Sequence, residues 1–304
     1  MTQLSPLPDV AAERDGQSHG PRALQHVGMQ GIACRILLPD GTRLSAYADV
    51  GVDLAAGHRG IHMSRLYRLL DAFDDTPLDA ESWPALGEAL LASQGEISQR
   101  LHLVLRVELP LRRPALLSEA SGWRHYPITL SLSGERGRLE TTLGIALTYS
   151  STCPCSTALA RNAMARDWRE WARENPQASA DSATVAEWIE HAGRFPTPHS
   201  QRSRADLSLR LAAGASLTLE SRIDAFEQCL QTPVQTLVKR ADEQAFAERN
   251  GDNLMFCEDA ARRLAQHCDA LADVEGYRVD IQHAESLHAH DAVARAEWNY
   301  PPYA

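Results

Sequence analysis

A cysteine pair with one residue between its members, Cys153-Pro154-Cys155, lies within the run Ser151-Thr152-Cys153-Pro154-Cys155-Ser156. Thiolates are soft ligands suited to zinc or iron. The spacing is tighter than that of a structural zinc knuckle, which also calls for a second cysteine pair that this chain lacks. Spacing alone therefore leaves two readings open: metal ligands, or two core cysteines beside a proline-bearing strand end. Other donors lie far along the chain. Pro198-His199-Ser200-Gln201-Arg202-Ser203 sets a histidine at the mouth of a strand, and Glu285-Ser286-Leu287-His288-Ala289-His290 carries two histidines one residue apart. An extended backbone turns His288 and His290 to the same face, and with a carboxylate nearby they suit a site better than a lone histidine does. Asp242, Glu243, Glu258 and Asp259 fall around predicted helix ends, where the ordinary work of an acid is capping and dipole compensation.

A third feature is Gly57-His58-Arg59-Gly60-Ile61-His62-Met63-Ser64-Arg65, where a loop feeds a helix. Backbone N–H groups at a helix start, flanked by Arg59, Arg65 and the Ser64 hydroxyl, make a phosphate cradle; a solvated basic helix start is the plainer reading. Neither the P-loop pattern nor a dinucleotide-binding glycine fingerprint occurs.

The elements that must position these residues are read from periodicity. Segments 32–38 and 43–50 read as strands joined by Pro39-Asp40-Gly41, and 63–73 and 86–93 read as helices. Segments 101–109 and 125–133 are strands, the first alternating through Leu101, Leu103, Leu105 and Val107. The order then repeats: strands at 139–149 and 205–211, helices at 217–230 and 254–271, strands at 277–281 and 292–298. The pattern is ββααββ twice, with a boundary near 134–137, and it implies antiparallel sheet of the α+β class. An insertion at 157–198 is helical in character, with Trp168, Trp171 and Trp188 at packing positions.

Composition sets the outer bounds. With 304 residues, 44% of them hydrophobic and 23% charged, the chain has ample material for a core. A net charge of −10 argues against a nucleic-acid surface and leaves room for a locally positive pocket. No apolar run is long enough to cross a bilayer, and residues 1–22 lack the pattern of a secretory signal. A cytoplasmic protein with a mobile tail at 1–27 is the expectation, and its six cysteines then do not suggest a disulfide scaffold.

From about residue 30 onward, an ordered set of motifs resembles the type IB GTP cyclohydrolases. The set comprises Asp53-Leu54, Arg59-Gly60-Ile61-His62-Met63-Ser64-Arg65, Cys153-Pro154-Cys155-Ser156, His199-Ser200-Gln201-Arg202-Ser203, Lys239-Arg240-Ala241-Asp242-Glu243, Phe256-Cys257-Glu258-Asp259 and Glu285-Ser286-Leu287-His288-Ala289-His290. The resemblance implies a bimodular tunnelling fold (T-fold), with modules at 28–135 and 136–304, the second carrying the insertion. It implies hydrolysis of GTP to 7,8-dihydroneopterin triphosphate and formate in pterin and folate synthesis, by homotetramers with sites between subunits. One divalent metal (zinc, manganese or iron) would be held by Cys153, His199, Glu243 and His288. Glu258 would grip the guanine edge, and Cys155 and His290 would serve as a second thiol and a proton shuttle. Arg59, His62, Ser64, Arg65, Arg202, Lys239 and Arg240 would bind the rest of the substrate. Two departures stand out: His-Ser-Gln-Arg replaces the commoner His-Asn-Gln-Arg, and a long insertion replaces a short turn. The alternatives are the T-fold nitrile reductase of queuosine synthesis, which uses NADPH, and a non-catalytic metal- or purine-binding protein.

Overall fold

A computed structural model of the chain describes residues 22–300. Eight strands form one sheet in strict chain order, each antiparallel to its neighbours. They are β1 (Leu24–Leu37), β2 (Arg43–Leu54), β3 (Arg100–Pro114), β4 (Ser121–Glu135), β5 (Arg138–Thr152), β6 (Ser200–Leu211), β7 (Val274–His283) and β8 (Ala292–Trp298). Helices α1 (Met63–Ala72) and α2 (Ser82–Ser93) join β2 to β3, and α3 (Pro154–Glu174) and α4 (Ser182–Glu187) join β5 to β6. Helices α5 (Leu219–Leu230), α6 (Arg240–Asp252) and α7 (Cys257–Asp269) join β6 to β7.

Strand alternation explains the layering. Leu101, Leu103, Leu105, Val107 and Leu109 of β3 are buried, as are Leu143, Ile145 and Leu147 of β5 and Leu207, Leu209 and Leu211 of β6. They pack in a single hydrophobic cluster with Leu66, Leu90, Phe226 and Leu264 from the helices, so one face of the sheet is covered.

Several elements differ from the sequence expectation. Most strands are longer, because their ends are polar yet still paired; β3 and β4 run as a ladder from Arg100↔Glu135 to Pro114↔Ser121. Strand β1 begins at Leu24, inside the stretch expected as a tail, and residues 1–21 lie outside the described residues. Helix α6 has no counterpart in the sequence expectation, since residues 240–252 carry no apolar stripe. Its start is fixed instead by the fully buried Asp242, whose carboxylate accepts from the Leu117, Ser118 and Lys239 N–H groups (2.7–2.8 Å) and from the Ser118 hydroxyl. Those bonds hold the Asp242 carboxyl far below the usual range, the Ser118 hydroxyl contributing most. In the insertion, Trp188 is buried and Trp168 stacks on Trp171 at 5.2 Å, which is the packing role expected.

The register divides the sheet into two ends. β5 rises from Arg138 to Thr152, while β6 descends from Ser200 and β7 rises to His283. The upper end therefore holds the β5–α3 junction, the start of β6 and the β7–β8 loop. The 15 residues of β5, at ~3.3 Å each, separate it from the lower end by about 45 Å.

Candidate active site

Cys153 closes β5 and opens α3. It is the N-cap residue, with Pro154 in the first turn, where a missing N–H costs nothing and a fixed φ suits the helix. The insertion helix thus starts inside the cysteine motif. The Cys153 N–H donates to the His199 carbonyl at 3.2 Å, so the strand pairing that ends at Thr152↔Ser200 brings these two residues together. Cys155, in the first turn of α3, is exposed.

Above Ile145, β4 no longer pairs with β5, and other backbone takes the vacated edge. The Ser150 N–H donates to the Thr232 carbonyl at 2.8 Å, and the Met255 N–H to the Thr152 carbonyl at 3.1 Å. The second contact fixes the start of α7, and with it Glu258, beside the upper end of β5. The Cys257 thiol donates to the Glu258 carboxylate at 3.3 Å. Glu258 sits below the ordinary carboxylate range, chiefly through its own N–H and then this thiol, whereas burial pushes the Cys257 thiol up to about 11. Glu258 is thus an ionised, outward acceptor at the N-terminus of a helix.

The ring of His199 is engaged at one nitrogen. Nδ1 lies 3.0 Å from Gln201 Oε1 and 3.5 Å from a Glu285 carboxylate oxygen. Among the described residues, Nε2 has no partner. Beneath this histidine lies a polar level inside the core, formed by Tyr149, Ser151, Gln201, Ser203 and His283, each no more than 8% exposed. Burial drives the His283 pKa down to about 4, so that ring is neutral at physiological pH, and burial likewise raises the Tyr149 phenol.

His288 and His290 are exposed in the β7–β8 loop, and their rings stack with centroids 4.9 Å apart and planes 7° apart. They share a face as expected, although the segment is a loop of bends. The Ser286 hydroxyl donates to the Ser200 carbonyl at 3.3 Å, which holds this loop near His199. Glu243 is exposed in the first turn of α6, and Lys239 and Arg240 stand at the start of that helix. Through Asp242 this helix start is tied to the β3–β4 turn, which also lies at the upper end. Arg202 lines a cavity of about 310 Å³ where β4 and β5 part, together with Arg124, His125 and Arg204. Arg204 is paired with Asp206 and Arg124 with Glu227, while Arg202 has no ion-pair partner among the described residues.

The basic segment of the first half lies at the opposite end. The His62 N–H donates to Gln94 Oε1 and the Arg65 guanidinium to the Ser93 carbonyl, both at 2.8 Å, just before β3 begins at Arg100. Arg59 and Ser64 are exposed there, and α1 starts with no side-chain cap. Thus one chain gathers Cys153, His199, Glu258 and the histidine loop at one end and keeps Arg59 to Arg65 at the other. Among the described residues, no group of three or more His, Cys, Asp or Glu side chains is close enough to hold a metal ion. Gln201, Ser151 and His283 have no role that the sequence alone suggests, and Glu285 enters there only as the carboxylate near His288 and His290. The available signal is polar residues at core phases of three neighbouring strands, legible only once the register is known.

Comparison with known proteins supplies the family. The chain is 44% identical over 299 residues to the GTP cyclohydrolase FolE2 of Chromohalobacter salexigens, spanning 97% of this chain and 96% of that one. It is 43% identical over 303 residues to the GTP cyclohydrolase FolE2 of Pseudomonas putida, spanning 99% and 98%. Among solved structures, the uricase of Arthrobacter globiformis is similar over 93% of this chain and 95% of that one, at 10% identity and a TM-score of 0.48. Neither the nitrile reductase nor the non-catalytic alternative is favoured by these matches. Residues 7–294 match the family described as Type I GTP cyclohydrolase folE2, and the chain belongs to that family.

Proposed function

We propose that this chain is a GTP cyclohydrolase that hydrolyses GTP to 7,8-dihydroneopterin triphosphate and formate, the entry to pterin and folate synthesis. The observation that carries the reading is the family match along residues 7–294, with the motifs that carry Cys153, His199, Glu258 and the histidine pair collected at one end of the sheet. The repeated ββααββ order further supports two T-fold modules, at 28–135 and 136–304.

The donor chemistry at the upper end fits a divalent metal. Cys153 offers its sulfur beside the His199 backbone, and the His199 ring has Nδ1 occupied and Nε2 free to donate. Cys153, His199, Glu243 and His288 are the proposed ligands, and zinc, manganese and iron all accept this mixture. A bound ion of this kind acts as a Lewis acid and lowers the pKa of water, the chemistry needed to open the imidazole ring of GTP. The protein's own groups do the rest. Glu258, ionised and acceptor-only, receives the guanine ring N–H and amino group. His290, stacked on His288 at the same loop, holds and returns a proton during ring opening and reclosure. Cys155, exposed one residue beyond Pro154, provides the second thiol. Arg202, Lys239 and Arg240 meet the triphosphate with Arg59, His62, Ser64 and Arg65.

Because the last four lie at the opposite end of the sheet from Cys153, with the run of β5, about 45 Å, between the two ends, a site that uses both groups is built by two copies. A homotetramer with sites between subunits satisfies this and covers the open edges of β1 and β8. The test is GTP turnover by the purified protein, read as formate and pterin together with metal content. Cys153→Ser should lose metal affinity and turnover while keeping its fold. Full activity in that variant sinks the ligand assignment, and no turnover by a metal-replete wild type sinks the activity.

A further inference from the structure

The core of an antiparallel sheet is ordinarily apolar along each inward-facing row, and here three rows change character at the same level. Leu143, Ile145 and Leu147 give way to Tyr149 and Ser151 on β5; Leu209, Leu207 and Ala205 give way to Ser203 and Gln201 on β6; Val279 and Ile281 give way to His283 on β7. The register sets Ser151 opposite Gln201, and Tyr149 opposite Ser203, which is in turn opposite His283. Buried polar groups persist only when their partners are supplied, and here each is supplied by another. Gln201 Nε2 donates to Ser151 Oγ at 2.8 Å; Ser151 Oγ meets Ser203 Oγ at 2.7 Å and His283 Nδ1 at 3.2 Å; His283 Nε2 meets the Tyr149 hydroxyl at 2.8 Å.

Among the described residues the cluster has one outlet, the Gln201 side-chain carbonyl, and it points at His199 Nδ1. The second group at Nδ1 is the Glu285 carboxylate, at 3.5 Å. A carboxylate cannot donate, and neither can the amide oxygen, so both contacts require the proton on Nδ1. A reversed Gln201 amide would set its NH2 against that proton. We propose that Gln201 is a positioning residue: anchored through Ser151 to the buried Ser203–His283–Tyr149 cluster, it locks His199 in the Nδ1–H tautomer and leaves Nε2 as the metal-donating atom. The inference rests on the reading of His199 as a ligand. It adds why that residue is followed two positions later by glutamine: on a strand, positions i and i+2 share a face.

The experiment separates the two readings. Nitrogen chemical shifts of ¹⁵N-histidine protein, metal-free and above neutral pH, report the His199 tautomer, with His199→Ala assigning the signal. Wild type should show Nδ1 protonated, and Gln201→Leu should move the population towards Nε2–H. Zinc affinity by chelator competition should fall about 10- to 100-fold in Gln201→Leu, the usual cost of losing a group that orients a ligating histidine. Gln201→Glu, which keeps an acceptor at Nδ1, should recover most of both signals. An Nε2–H ring in the wild type overturns the proposal without any variant being made. So does an unchanged tautomer in Gln201→Leu, and its loss in Glu285→Ala would then assign the role to Glu285. If His199→Ala binds zinc as tightly as wild type, the ligand reading fails, while the tautomer result still judges Gln201.

Discussion

A mixture of two inactive proteins should regain activity, and the expected amount is set by the sheet. Take Arg59→Glu, exposed at the lower end, and Cys153→Ser at the upper end. Within one chain these positions stand at opposite ends of a sheet whose strand β5 is about 45 Å long, and no contact among the described residues unites them. If each site takes its thiolate from one copy and its arginine from another, a homotypic assembly of either variant has no intact site. After dissociation and random reassociation at equal amounts, a given site draws an intact thiolate half the time and an intact arginine half the time. About one quarter of the sites are then whole, which sets the ceiling of recovered turnover. The assay is formate release against a wild-type protein taken through the same cycle, with subunit exchange verified by mass labelling. Arg59 is exposed and belongs to no ion pair among the described residues, so the variant should unfold at the wild-type temperature. Arg65→Glu is the poorer choice, because its guanidinium also ties α1 to the end of α2. Complete exchange with no recovered turnover would refute the two-copy site and require a route by which one chain brings its two ends together.

Glu258→Gln replaces an acceptor with a donor at the proposed guanine edge; loss of two charge-assisted hydrogen bonds, about 3 kcal/mol or more, weakens GTP binding roughly 100-fold, while metal content by elemental analysis stays at the wild-type level. His283 is neutral in the fold with a pKa of about 4, against an ordinary value of 6.5, so the unfolded chain binds more protons between those limits and stability rises with pH across that window. The difference is worth at most about 3 kcal/mol, and denaturant titrations at several pH values should show a flatter profile for His283→Gln. Leu143→Ala, at a position with no exposed surface, should cost about 2–5 kcal/mol and lower Tm by several degrees without changing the metal stoichiometry.

Legibility in the sequence tracks the strength of the local pattern. Segment 292–298 and the alternating run through Leu101 to Val107 are readable as strands, because period-two burial is written into adjacent residues. The ends of β3 and β4 are not, since Arg112, Arg113 and Trp123 carry no apolar alternation and join the ladder through cross-strand pairing. Helix α6 escapes for a related reason: a helix fixed by one buried carboxylate leaves no stripe to read. The site is legible as residue types in order, but its spatial division is not. That Arg59 and Cys153 stand at opposite ends depends on strand direction and register, which couple residues across the whole chain. Gln201 and His283 are hidden by the same logic, for each is an ordinary polar residue until its neighbours on β5 are known.

The repeated element order does not mark a physical division of the chain. β4 and β5 meet as an ordinary antiparallel hairpin across the proposed boundary, paired from Ile128↔Ile145 to Glu135↔Arg138, and the apolar cluster continues through it. Above that ladder, where β4 and β5 part, polar contacts take over the joining. Arg113 of β3 pairs with Asp224 of α5 at 2.7 Å, and Arg124 and Tyr126 of β4 both reach Glu227, the phenol at 2.9 Å. Asp242 of α6 then closes on the turn between β3 and β4. These links all run from the first half to the helices of the second, two of them to α5 and the Asp242 contacts to the segment that carries Lys239, Arg240 and Glu243. The first half therefore contributes to the upper end of its own chain as a scaffold, by fixing the start of α6, while its basic loop serves the lower end. On the proposed two-copy site, the first half would thus support a site in its own subunit and supply cations to another. If the two halves are the proposed modules, these contacts give a reason for them to share one chain: separate chains would have to re-form them at every assembly step.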